Sequence, residues 1–134
     1  MVEASAKWTD NERFIGQASS GHATVVDAGN HKTATSPMEL VLVALCSCTA
    51  ADVVSILSKK REPFTGVEVR AEAERADTFP KVYTKVKLVY RVTGKVSRKA
   101  VEDAVRLSEE KYCSVAGMLN KTARISYSVL LDEK

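Results

Sequence analysis

Three cysteines carry the most reactive side chains of this 134-residue chain, and their spacing limits the chemistry they can do. Cys46 and Cys48 stand two residues apart, and Cys113 follows much later in the chain. If the first two lie in a helix, their side chains point about 200° apart, so at most one of them faces a given pocket. An odd cysteine count in a chain without an export signal argues against a structural disulfide framework. The cysteines are therefore either inert core residues or chemically active thiols.

Reduction of a hydroperoxide would use two such thiols. A thiolate attacks the peroxide and becomes a sulfenic acid, and a second thiol captures that acid before it over-oxidises. A cysteine in a buried helix and Cys113 elsewhere in the chain would meet this need. A helix beginning near Cys113 would stabilise its thiolate, whereas Glu109 and Glu110 would act in the opposite direction. Because buried free cysteines often serve only as small hydrophobic residues, the spacing alone leaves both interpretations open.

The first half of the chain predicts three strands and one long helix. Residues 2–8, 14–18 and 22–27 read as strands, with hairpin-turn residues between the second and the third. Ser36 as N-cap, Pro37 at the first helical position and Glu39 completing a capping box predict a helix start. Nothing breaks this helix before about residue 59, and residues 40–45 are apolar nearly all round. We therefore expect a helix that is buried on most faces, for instance between sheets of two subunits.

The second half predicts strands and shorter helices. Alternating residues give strands at 67–73 and 82–92, a helix capped by Ser97, a short helix at 112–120 and a closing strand at 125–131. The order is N-terminal strands, long central helix, two long strands, two shorter helices and a C-terminal strand. This order indicates an α+β fold rather than a βαβ series. The length fits a single domain over residues 1–134.

Composition and charge narrow the class of protein. With 45% hydrophobic and 28% charged residues and a net charge of +3, the chain reads as a folded domain and not as a disordered one. Its one tight basic run, residues 59–61, falls at a helix end, so we expect no nucleic-acid partner. The N-terminus lacks the apolar core of a signal peptide, and the long helix contains polar residues. We expect a cytoplasmic protein that does not bind membranes.

A metal site is an alternative use of the cysteines. His22 and His31 are the two histidines of the sequence, and either could join Cys113 and one of the helical cysteines. Two cysteines at a Cys-x-Cys spacing on a helix do not converge on one metal ion, and no second ligand pair exists. We expect no metal site.

Two segments resemble motifs of the OsmC/Ohr family. Residues 36–54 read Ser-Pro-Met-Glu-Leu-Val-Leu-Val-Ala-Leu-Cys-Ser-Cys-Thr-Ala-Ala-Asp-Val-Val and resemble its central helix, in which the peroxidatic cysteine stands eleven residues after the helix-start proline. That position is Cys48 and not Cys46. Residues 109–115, Glu-Glu-Lys-Tyr-Cys-Ser-Val, resemble the second motif and make Cys113 the resolving cysteine. The amino-acid sequences of both segments are most similar to those of the YhfA-like branch.

The resemblance implies an OsmC-like intertwined homodimer with its active sites at the subunit interface. It implies a thiol-dependent peroxidase that reduces organic hydroperoxides or hydrogen peroxide and is regenerated by a cellular dithiol. It also implies that no metal and no organic cofactor takes part. In better-known members an Arg and a Glu polarise the reactive cysteine, and the Glu directly follows the proline. Met38 occupies that position here, so Glu39 is the candidate acid, with helix capping as its competing role. Arg13, the one arginine of the N-terminal strands, is the candidate for the polarising arginine.

Two other functions stay open at this point. The missing acid at Met38 and the apolar helix favour a dimeric binding module that holds an apolar small molecule at its interface. A redox sensor would form the Cys48–Cys113 disulfide without efficient turnover.

Overall fold

A computed structural model describes residues 1–30 and 33–133. The chain forms two compact units, Met1–Val43 and Ala44–Lys134, and helix α1 (Pro37–Lys59) runs through the boundary between them. The units are therefore described one at a time.

The N-terminal unit holds a three-stranded antiparallel sheet. Its strands are β1 (Ala4–Asp10), β2 (Arg13–Ala18) and β3 (Ala23–Asp27), in the order β1-β2-β3. Gly21 turns the chain into β3 with a φ of 89°, a conformation that favours glycine. Within these strands only Asp27 is buried, so the sheet offers most of its surface to the surroundings. The three predicted strands are confirmed, each within two residues.

Helix α1 begins at the predicted capping box. The Ser36 amide donates to Glu39 Oε1 at 2.9 Å, and the Glu39 amide donates to Ser36 Oγ at 3.2 Å. These reciprocal bonds satisfy amides that the first helical turn leaves without partners. The helix then continues to Lys59, where the sequence predicts its end.

The burial of α1 differs from the prediction. One stripe at every fourth position is buried, and the rest is half-buried or exposed; the stripe consists of Leu45, Thr49, Val53 and Leu57. Val54 remains 39% exposed. Burial on most faces is therefore wrong for the single chain, because one chain covers only one side of the helix. By length and composition alone, α1 could also cross a membrane, with a mean hydropathy of 2.3, although core helices of ordinary folds meet the same criterion.

The C-terminal unit holds the second sheet. Its strands are β4 (Phe64–Arg75), β5 (Tyr83–Gly94) and β6 (Arg124–Asp132). Strand β5 lies in the centre, antiparallel to β4 and parallel to β6. Its inward residues are completely or almost completely buried, as the alternation predicts: Val86, Leu88, Tyr90 and Val92. Strands β4 and β6 extend beyond both of their predicted ends, whereas β5 begins one residue later and ends two residues later than predicted.

Two helices and a wide turn connect β5 to β6. Helix α2 (Arg98–Leu107) is capped by Ser97, whose hydroxyl accepts from the Ala100 amide at 3.2 Å. A π-helical turn (Ser108–Tyr112) follows, and then helix α3 (Ser114–Leu119). The predicted third helix exists, but it starts two residues late because Cys113 has an extended backbone. The predicted α+β class and element order are confirmed.

Candidate active site

Cys48 and Cys113 meet in the C-terminal unit. Cys48 lies on α1, Cys113 lies between the π-helical turn and α3, and the Cys48 thiol is one of the groups that raise the pKa of Cys113. Cys113 is 5% exposed, Cys48 is half-buried, and both are free thiols. Two thiol groups from distant parts of the chain thus act on each other electrostatically.

The surroundings of Cys113 hold its thiol in the protonated form. Burial is the largest influence and raises the pKa of Cys113. The Ala116 amide, which donates to the sulfur at 3.4 Å, acts in the opposite direction. The Cys48 thiol and the charge of Glu109 raise the pKa further. The sequence left open whether the helix N-terminus or the nearby acidic residues control the pKa of Cys113. In the structure, burial has the largest effect and raises that pKa.

Cys46 has different surroundings. It is half-buried, and burial raises the pKa of its thiol. It lies two positions before Cys48 on α1, which turns the two side chains about 200° apart around the helix. The pairing of Cys113 with Cys48 therefore leaves Cys46 outside the site.

A chain of buried polar groups runs beside the cysteines. Thr49 Oγ1 lies 2.7 Å from Tyr90 Oη and 2.7 Å from Ser108 Oγ, and all three residues are completely buried. At one end the Tyr90 hydroxyl donates to Glu109 Oε1 at 2.5 Å. At the other end the Ser108 hydroxyl donates to Asp52 Oδ2 at 2.8 Å. We call these five groups, Asp52–Ser108–Thr49–Tyr90–Glu109, the polar chain.

The polar chain has an acidic group with altered titration next to the cysteines. Burial is the main cause that raises the pKa of Glu109, and the charge of Asp52 adds to it. The hydroxyl groups of Tyr90, which donates to Glu109, and of the nearby Thr49 oppose this rise. Burial also raises the pKa of Tyr90, so its hydroxyl keeps its proton. Because the charge of Glu109 acts on Cys113, the polar chain and the thiol pair form one electrostatic unit.

The polar chain is not among the site residues that the residue pattern predicts. The signal was present in α1, where Thr49 and Asp52 are polar residues one and four positions after Cys48 in an apolar stretch. Tyr90 lies on the inward face of β5, where a hydroxyl group needs a partner. Ser108 and Glu109 lie in the π-helical turn, a local structure that the residue pattern does not predict.

The two candidate polarising residues, Arg13 and Glu39, lie in the N-terminal unit, each with a local partner. Arg13 on β2 forms two hydrogen bonds with Asp10, one of 2.9 Å from Nε to Oδ1 and one from Nη2 to Oδ2. This pairing lowers the pKa of Asp10 and raises the pKa of Arg13. Glu39 completes the capping box of α1. Catalytic roles for Arg13 and Glu39 stay predictions.

Metal ligands do not converge in the described part of the chain. Among residues 1–30 and 33–133, no three His, Cys, Asp or Glu side chains gather around a common point. His22 lies 3.2 Å from the Ser20 hydroxyl through Nδ1. His31, the other histidine considered as a ligand, lies outside the described residues.

Comparisons with known proteins agree on one family. Residues 29–128 match the family model described as OsmC-like protein. Protein YhfA of Escherichia coli K12 is 43% identical over 128 residues, which cover 95% of this chain and 96% of that protein. The crystal structure of a hypothetical protein from Aquifex aeolicus is 33% identical, with a TM-score of 0.85 and coverage of 99% and 98%.

A more distant structure shares the fold. An organic hydroperoxide resistance protein OsmC from Legionella pneumophila superposes with a TM-score of 0.72 at 18% identity and covers 96% of both chains. At this identity, the similarity shows the fold alone.

Proposed function

Because the chain belongs to the OsmC-like protein family, we propose that it is a thiol-dependent peroxidase that reduces organic hydroperoxides or hydrogen peroxide. The observation that carries the proposal is that the chain brings the free thiols of Cys48, on α1, and Cys113, before α3, close enough for the first to influence the protonation of the second. The hydroperoxide-resistance name of a structural relative supports the substrate class. A dithiol from the cell would return the oxidised protein to its starting state.

Cys48 performs the first step. Its thiolate attacks one peroxide oxygen, an S–O bond forms, the O–O bond breaks, and the alkoxide leaves and takes up a proton. The products are a Cys48 sulfenic acid and an alcohol, or water when the substrate is hydrogen peroxide. Cys48 suits this role better than Cys113 because it is less buried, so a peroxide can reach its sulfur.

Cys113 performs the second step. Its sulfur attacks the Cys48 sulfenic sulfur, an S–S bond forms, and the S–O bond breaks to release water. Because Cys113 is a buried thiol with a raised pKa, it has to lose its proton during this step. Keeping Cys113 protonated until the sulfenic acid exists reserves it for resolution and not for attack on peroxide.

We also propose that the chain acts as a homodimer. The apolar helix α1 keeps only one stripe covered by its own chain, and an apolar surface of this kind is commonly covered by another protein surface. A second copy supplies the same apolar helix and would cover both surfaces at once.

A thiol-consumption assay tests the peroxidase proposal. The reduced protein receives one equivalent of cumene hydroperoxide, and remaining thiols are counted at fixed times. Two thiols per chain should disappear, and Cys46→Ser should react as the unmodified protein does because Cys46 lies outside the pair. Cys48→Ser should lose the reaction. Cys113→Ser should lose one thiol per chain and accumulate a sulfenic acid that a dimedone reagent traps.

The same assay separates the two other functions. Rapid disulfide formation that stops after one cycle in the presence of excess dithiol would indicate a redox sensor. Unchanged thiol counts, combined with a retained apolar molecule in native mass spectrometry, would indicate a binding module on the exposed face of α1. Multiple turnovers with dithiol and hydroperoxide would establish the peroxidase.

A further inference from the structure

The polar chain has more oxygen–oxygen contacts than it has hydroxyl protons to place between them. It contains four contacts, Asp52–Ser108, Ser108–Thr49, Thr49–Tyr90 and Tyr90–Glu109, all between 2.5 and 2.8 Å. Each such contact needs one proton between its oxygens. Three hydroxyl groups supply three protons. With both carboxyl groups ionised, Tyr90 and Ser108 donate outward, and Thr49 has one proton for its two contacts.

The missing proton has to come from one of the two carboxyl groups. If Glu109 is protonated, it donates to Tyr90, and the three hydroxyls donate in turn along the chain to an ionised Asp52. If Asp52 is protonated instead, every hydroxyl turns round and the chain ends on an ionised Glu109. Either arrangement satisfies all four contacts. Since Thr49, Tyr90 and Ser108 are completely buried, no solvent can make up the deficit at those oxygens.

We infer that the polar chain is a proton relay that holds one carboxyl proton shared between Asp52 and Glu109. The proton moves when the three hydroxyls reverse their direction, so no isolated charge crosses the buried centre of the unit. Asp52 is half-buried on α1, and Glu109 is the end whose charge acts on Cys113. The relay therefore links a partly exposed carboxyl group to the thiol site.

The relay has a use in the second step of the reaction, and this use rests on the proposed peroxidase function. When the proton resides on Asp52, the Glu109 carboxylate accepts the proton that Cys113 releases as its sulfur attacks the sulfenic acid. Glu109 then gives a proton to the departing hydroxide, which leaves as water. One proton enters the chain and one leaves, so its total does not change over the cycle.

Amide substitutions at either end distinguish this relay from an ordinary hydrogen-bond network. The side-chain amide of Gln can donate a hydrogen bond, so Glu109→Gln can supply the missing proton to Tyr90. Each of the three hydroxyl groups then donates toward Asp52. Asp52→Asn fixes them in the direction of Glu109. Both variants keep the contacts and remove the mobile proton. Glu110→Gln is a matched control, because Glu110 is an exposed neighbour on the same turn.

Infrared spectroscopy of the reduced protein at neutral pH tests the proton count without any peroxide. We expect the carbonyl band of one protonated carboxylic acid, sensitive to deuterium exchange, in the unmodified protein and in Glu110→Gln. The band should vanish in both Glu109→Gln and Asp52→Asn. Its absence from the unmodified protein, or its survival in either amide variant, would overturn the relay. Circular dichroism confirms that each variant is folded.

Stopped-flow kinetics then tests the use of the relay. Glu109→Gln should slow disulfide closure by about 10²-fold, the lower end of the range for general acid–base catalysis, while dimedone still traps the sulfenic acid. Closure at the unmodified rate would overturn the role assigned to Glu109. If the unmodified protein loses no thiols with peroxide, the proposed function fails, and the infrared result still decides whether the relay exists.

Discussion

Replacing Thr49 with valine probes the centre of the polar chain with little change of shape. Thr49 is completely buried and its hydroxyl makes contacts of 2.7 Å with both Tyr90 and Ser108. Valine fills nearly the same volume, so the variant should leave no new cavity. What it removes is the hydroxyl that joins the two halves of the chain.

The size of the effect follows from the partners that remain. A buried hydrogen bond contributes about 0.5–1.5 kcal/mol, so two bonds set an upper range of roughly 1–3 kcal/mol. Tyr90 and Ser108 each keep a carboxylate acceptor, Glu109 and Asp52, so neither hydroxyl is left without a partner. We therefore expect Thr49→Val to lower the free energy of unfolding by about 1–2 kcal/mol. The melting temperature should fall by roughly 3–10 °C.

Differential scanning calorimetry and urea titration measure this loss. Protein concentration is held equal, because dimer formation would make the melting temperature concentration-dependent. Thr49→Ala is the comparison, since it removes the same hydroxyl and also a methyl group, and it should cost about 1 kcal/mol more. A Thr49→Val protein as stable as the unmodified one would show that the hydroxyl contacts contribute nothing. A loss of unfolding free energy above about 4 kcal/mol would show that Tyr90 or Ser108 does not keep its hydrogen bond to its carboxylate in the variant.

Three further outcomes follow from the same structure. Val54→Glu places a charge on the exposed apolar face of α1 and should halve the mass measured by sedimentation. The control variant Val54→Ile should remain dimeric, and a monomeric unmodified protein would contradict the prediction. Ser97→Ala removes the cap of α2 and should cost about 1 kcal/mol in urea titration, and Ser97→Asp should restore it; equal stability of the alanine variant would count against the cap. Because the pKa of Cys113 is raised, its thiolate fraction grows as pH increases above neutrality, so in Cys48→Ser its alkylation by iodoacetamide should accelerate over that range; a flat profile by mass spectrometry would refute the protonated state.

The sequence was most informative where local chemistry determines structure. Ser36, Pro37 and Glu39 together define the start of α1, because the capping box depends on residues within one turn. The alternation in β5 gave its buried face for a similar reason. The pairing of Cys48 with Cys113 came from the resemblance to a family and not from spacing, since no local rule relates residues so far apart.

The remaining features depend on packing between distant segments. The five groups of the polar chain come from α1, β5 and the π-helical turn, so their contacts exist only after the C-terminal unit has folded. The wide turn delays α3 to Ser114 because Cys113 adopts an extended backbone and caps the helix. The exposed side of α1 could not be predicted either. Hydrophobic periodicity shows that a helix face is apolar, but it does not show whether the same chain or another chain packs against that face.

The central claim is that Cys48 and Cys113 form a disulfide when the protein meets a hydroperoxide. The most direct measurement is peptide mapping by mass spectrometry after one equivalent of organic hydroperoxide and rapid alkylation of the remaining thiols. We expect one dominant linked pair, Cys48 joined to Cys113, with fragment ions placing the alkylated thiol at Cys46 of the same peptide. A Cys113 that is fully alkylated after exposure, or one joined to Cys46, would contradict it.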